Sequence, residues 1–131
     1  MKLKLYQNCF LLLLAFTFSG CASYMALFTP LSPQQINSTL PTLTTSKFIT
    51  RQEADEAEKN TKGKYLIKGR SYTAPLGLTT MDDLKSGARG IDEWVQLDGG
   101  NAYVLTNYKW VTIDGSGAAQ LQLDFDTYLL N

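Results

Sequence analysis

Residues 101–130 read NAYVLTNYKWVTIDGSGAAQLQLDFDTYLL, two strand-like runs on either side of Asp114-Gly115-Ser116-Gly117. In the second run Ala119, Leu121, Leu123, Phe125, Thr127 and Leu129 alternate with Gln120, Gln122, Asp124, Asp126 and Tyr128. That period of two predicts a strand with one buried and one wet face. A type II′ turn centred on Gly115-Ser116 fixes the pairing. Trp110 then faces Leu121, Tyr108 faces Leu123, Thr106 faces Phe125 and Val104 faces Thr127, while Asn107 lies opposite Asp124 and Lys109 opposite Gln122. A slip of one residue would carry Lys109 to the apolar side, so the pattern itself selects this register. It assigns Tyr108 and Trp110 to the core and leaves Tyr103 and Tyr128 together on the opposite, exposed face.

The hairpin needs a layer to cover its apolar side, and the residues before it supply one. Leu84, Ala88, Ile91 and Val95 recur at helical spacing after the capping signal Thr80-Met81-Asp82-Asp83, and Gly99-Gly100 closes the helix. Gly87 and Gly90 lie inside it at about 1 kcal/mol each relative to Ala. Close approach of helix to sheet is the reason to expect them there. Further upstream, residues 64–72 (KYLIKGRSY) read as a strand with a possible bulge at Gly69. Thr50-Arg51-Gln52-Glu53 opens a solvated helix with Ala54 and Ala57 inward, and residues 47–50 begin a strand. The order is βαβαββ. It predicts an α+β two-layer sandwich: one mainly antiparallel sheet with a principal helix packed on one face.

Composition narrows the chemistry. The 131 residues are 44% hydrophobic and 11% aromatic, with 12 basic and 12 acidic side chains. Such a balance gives no electrostatic reason to expect nucleic acid as a partner. The chain contains no His, which removes the usual general base, the commonest transition-metal ligand and the Ser-His and Cys-His pairs. Its two cysteines are Cys9 and Cys21, both near the N-terminus, so the domain has to stand on packing alone.

Residues 11–21 read LLLLAFTFSGC, after a start that carries Lys2 and Lys4 and no acid. A positive segment, an apolar run and then Ser19-Gly20-Cys21 resemble the type II signal peptide and lipobox of bacterial lipoproteins. Phe18 stands where that family more often has Leu. The apolar run at residues 10–18 spans roughly 14 Å as a helix, about half of a 30 Å hydrocarbon core, which fits a cleaved signal. The resemblance implies lipidation of Cys21 by a diacylglycerol thioether and an N-terminal acyl chain. With Ala22 rather than Asp next, it also implies outer-membrane sorting, facing the periplasm. A rival reading remains: residues 9–28 are nearly apolar and no charge falls between Lys4 and Lys47, so an uncleaved inner-membrane helix is the alternative. The expected organisation is a signal over residues 1–20, a lipidated Pro- and Ser/Thr-rich tether over 21–45 with at most one helical turn at residues 32–36, and a globular domain over 46–131.

No catalytic arrangement emerges from what is left. Asp82-Asp83 and Asp92-Glu93 are adjacent on a helix and point about 100° apart, so capping and solvation explain them. Asp124 and Asp126 share the wet side of the last strand, too few oxygens for a calcium loop. No metal and no cofactor is expected. The reading is therefore of a non-enzymatic, membrane-anchored envelope lipoprotein, an accessory or assembly module. Its interaction face comprises Tyr103, Asn107, Asp124 and Tyr128, meeting an envelope protein. The alternative is a cell-wall glycan-binding module that uses those aromatics on peptidoglycan; a carboxylate-dependent hydrolase comes third.

Overall fold

A computed structural model of the chain describes residues 31–112 and 118–131. The expected signal over residues 1–20, Cys21 and the expected turn at 114–117 lie outside the described residues. In chain order the elements are α1 (Pro33–Leu43), β1 (Lys47–Phe48), α2 (Arg51–Lys59), β2 (Gly63–Thr73), α3 (Thr80–Leu97), β3 (Ala102–Thr112) and β4 (Ala119–Leu130). The strands form one sheet in the order β1-β3-β4-β2. β1 runs parallel to β3, and both pairings of β4 are antiparallel. This is the α+β fold, one sheet with a principal helix on one face, that the sequence pattern predicts.

α3 is that helix. Leu84, Ala88, Ile91 and Val95 are all buried, and they meet Leu121, Leu123 and Phe125 of β4 in the larger core. Its cap is Thr79, whose side chain accepts from Asp82 N–H, one residue earlier than the sequence signal suggests. Gly87 and Gly90 are explained by contact: a Cβ would stand 2.6 Å from Leu123 Cδ1 at Gly87 and 2.5 Å from the Tyr72 ring at Gly90. Both values are inside van der Waals contact, so only Gly lets the helix lie this close. At its other end Gly99 takes φ +80° and Gly100 N–H donates to the Val95 carbonyl at 2.8 Å, the six-to-one bond of a Schellman ending.

α1 corrects the reading of residues 21–45 as a tether with one turn. It is an 11-residue helix opened by a full capping box: Gln35 N–H donates to Ser32 Oγ and Ser32 N–H donates to Gln35 Oε1. Ile36 and Leu40, one turn apart, are completely buried in the α3 core. The compact unit therefore starts at Leu31 rather than at residue 46, and the order is αβαβαββ. Pro41 sits inside the helix near its end. There it withholds one N–H but leaves the upstream turns intact.

The hairpin register also needs correction. From Thr112↔Ala119 to Asn107↔Asp124 the partners match the predicted pairing. A bulge then intervenes, and beyond it Leu105 faces Phe125, Val104 faces Asp126, Tyr103 faces Thr127 and Ala102 faces Tyr128. Thr106 is the extra residue. Because side chains alternate, one inserted residue exchanges the faces of everything beyond it. Tyr103 and Leu105 go to the α3 side, while Ala102 and Val104 join a second core with Ile49, Ala54 and Tyr128 under α2. The sheet is consequently covered on one face by α1 and α3 and on the other, at one end, by α2.

Candidate functional site

The cover supplied by α2 stops short of the other end of its face. There Asn107 on β3, Asp124 and Gln122 on β4 and Ser71 on β2 come together, with Lys109 opposite Gln122. Asp124 is the centre of the row. Gln122 Nε2 donates to its Oδ1 at 3.0 Å. This bond, foremost, and then Ser71, the charge of Lys109 and Asn107 hold the carboxyl below the ordinary aspartate range. An anion served by that many donors is a fixed acceptor and not a proton carrier near neutral pH. Asn107, Lys109, Ser71 and Thr73 are exposed around it. Among the described residues, no strand pairs with β3 beyond Tyr103 on the side away from β4, so an unpaired strand edge borders the row.

Of the four residues expected to form an interaction face, Asn107 and Asp124 are thus neighbours on an open surface. Tyr103 and Tyr128 are not there. Both are fully buried, and on opposite faces of the sheet. The Tyr103 ring meets Phe48 edge-on at 5.5 Å and its hydroxyl lies 3.0 Å from Thr44 Oγ1, in the core that α1 completes. Burial pushes its phenol up to about 12. The Tyr128 ring meets Tyr65 at 5.0 Å, and its hydroxyl donates to the Ala54 carbonyl at 2.8 Å. The bulge is what takes the two rings apart. Tyr108 and Trp110, assigned to the core, do pack against it.

Four further aspartates, Asp83, Asp92, Asp98 and Asp126, hold the fold together. Asp92 accepts from Thr45 N–H at 2.8 Å and Ser46 N–H at 3.0 Å, tying the chain after α1 to α3. Asp83 accepts from Gly77 N–H at 2.7 Å, and its burial raises the carboxyl above its usual value. Asp98 takes both Nε and Nη2 of Arg70, at 3.1 and 2.6 Å, and the Thr127 hydroxyl at 2.7 Å. The Arg70 hydrogen bonds, above all, hold it low, and the same guanidinium stacks over Trp94 at 4.0 Å. Asp126 does share a strand face with Asp124, but it is buried under α2 beside Arg51 at 3.5 Å, where it accepts from Gly69 N–H. Gly69, at φ +81°, is the expected irregularity of β2. Among the described residues no three acidic or cysteine side chains gather as metal ligands.

No family model, no curated protein and no solved structure matches this chain. Its function has to be argued from its own residues.

Cys21 lies outside the described residues. Among those that are described, no helix is long and apolar enough to cross a membrane; the apolar run at residues 9–28 is not among them. A shallow groove lined by Lys47, Lys62, Asn101 and Leu130 opens beside β1, but the Asn101 amide is spent on both main-chain groups of Leu130. One surface escaped the sequence reading altogether. The loop from β2 to α3 and the first turn of α3 expose Leu76, Leu78 and Met81. Its signal was available, since apolar side chains stand between turn residues in PLGLTTM at residues 75–81.

Proposed function

We propose that this chain is a lipid-anchored envelope protein, attached through Cys21 and non-enzymatic, whose domain contacts another envelope protein through the open half of the sheet. The contact row is Ser71, Asn107, Lys109, Gln122 and Asp124. The observation that carries this reading is the partial cover of that face: α2 buries one end, while the polar row at the other end stays open beside an unpaired strand edge. Edges and ordered polar faces of this kind recruit proteins by strand addition and by fixed hydrogen-bond patterns. The glycan reading, on peptidoglycan, loses the two aromatic rings it relied on, since Tyr103 and Tyr128 are core residues. Of the acids open to the hydrolase reading, Asp83, Asp92, Asp98 and Asp126 are engaged in holding the fold.

The anchor and the face are tested apart. Cells grown with radiolabelled fatty acid are expected to label the chain and to lose that label in Cys21→Ala; label retained in the variant, or none in the wild type, would defeat the anchor. Ser71→Arg with Asn107→Arg changes two exposed side chains. It is expected to abolish capture of the partner by a chemical crosslinker while the domain still unfolds cooperatively in urea, and undiminished capture would defeat the face.

A further inference from the structure

Leu76, Leu78 and Met81 are 51%, 84% and 37% exposed, three aliphatic side chains within six residues. The loop and first helical turn that display them are braced. Asp83 accepts from Gly77 N–H, Thr79 caps the helix through Asp82 N–H, and Ala74 N–H donates to the Leu121 carbonyl at 2.8 Å. The apolar tip is therefore presented on a held backbone. Behind it, Met81, Lys85 and Arg89 follow at intervals of four on α3, so they share one side of the helix; Lys85 and Arg89 are exposed. An apolar tip with cations one and two turns behind it matches the layering of an anionic bilayer surface, acyl chains first and phosphates above them. Two exposed acids oppose these cations: Asp82, at the positive end of the helix, and Glu93, one turn beyond Arg89 and farthest from the tip.

We propose that this loop is a second membrane contact: Leu76, Leu78 and Met81 enter the interface of an anionic phospholipid leaflet while Lys85 and Arg89 meet its headgroups. The inference rests on the Cys21 anchor proposed above. Nine residues separate that cysteine from Leu31, where the compact unit begins, so the tether reaches at most about 36 Å. A tether that short holds the domain near lipid at an effective concentration of order millimolar, so a weak contact suffices.

The test uses the full chain, lipidated in cells and reconstituted in phosphatidylethanolamine–phosphatidylglycerol vesicles. A polarity-sensitive fluorophore is placed at Leu78→Cys and, as a control, at Lys59→Cys on the exposed side of α2. The expected result is blue-shifted emission quenched by brominated acyl chains at position 78 only. Lys85→Glu with Arg89→Glu, or phosphatidylcholine in place of phosphatidylglycerol, should diminish the quenching. Mass spectrometry of the same sample reads the anchor independently. Water-like, unquenched emission at position 78 in a chain whose Cys21 carries acyl groups overturns this inference alone, and an unmodified Cys21 overturns the anchor and the inference together. A probe protected in cells by crosslinking to a protein, yet unquenched by lipid, also overturns it and assigns the loop to a protein partner.

Discussion

Tyr103 and Asn107 are four residues apart on one strand and have opposite fates, so paired substitutions separate core from surface. Tyr103→Ala should cost about 3–5 kcal/mol, as loss of a buried ring does, whereas Asn107→Ala should stay within about 0.5 kcal/mol; urea unfolding measures both. Two aspartates should bend the pH dependence in opposite senses. Asp98 titrates below its unfolded value of about 3.9. Its contribution is present above that value and fades as pH falls through the folded one. Asp83 titrates above its unfolded value, so its contribution is complete in acid and fades as pH rises through the raised value. Asp83→Asn, which keeps an oxygen for Gly77 N–H, should therefore gain on the wild type as pH climbs from 4 toward 7. Asp98→Asn should lose most at neutral pH, and unfolding midpoints across that range check both signs. The sequence could not reveal these roles, because Asp83, Asp98 and Asp126 are polar letters whose burial depends on partners 6, 28 and 57 residues away.

The elements that were legible are those whose burial is one-sided. α3 follows from four apolar residues at helical spacing, and the outer half of the hairpin follows from alternation between residues 107–112 and 119–124. The inner half has no such signature. Ala102, Tyr103, Val104 and Leu105 are consecutive apolar residues because α3 covers one face there and α2 the other, and a run buried on both sides does not encode which residue faces which way. The bulge at Thr106 was invisible for that reason. α1 is half legible: Ser32, Pro33 and Gln35 mark its start in the sequence, but the uncharged, Pro- and Ser/Thr-rich composition of residues 22–45 reads as a tether. If α1 is part of the core, Leu40→Ala costs about 2–5 kcal/mol; a tether residue would cost nothing measurable. Gly90→Ala tests the packing of α3. Propensity alone favours Ala by about 1 kcal/mol, yet the Tyr72 ring occupies the Cβ position, so a net loss of about 1–3 kcal/mol is expected in urea unfolding.

At the scale of the whole molecule, the described residues form two cores, one on each side of the sheet, and among their exposed surfaces two differ in kind. One is the ordered polar row around Asp124, beside the unpaired edge of β3. The other is the aliphatic tip at residues 76–81, the loop after β2 with the first turn of α3. Neither is a cleft holding a buried acid–base pair, and the account assigns the first to a protein and the second to lipid. The assignment of the polar row is its central claim. It is tested most directly by photo-crosslinking in intact cells, with a photoreactive amino acid placed singly at Asn107, Gln122 or Thr73 on the open half of the sheet and at Gln52 or Glu56 on the exposed side of α2. The account predicts a discrete crosslinked protein from the first three positions and none from the other two. No adduct from the sheet face, or the same adducts from α2, would contradict it.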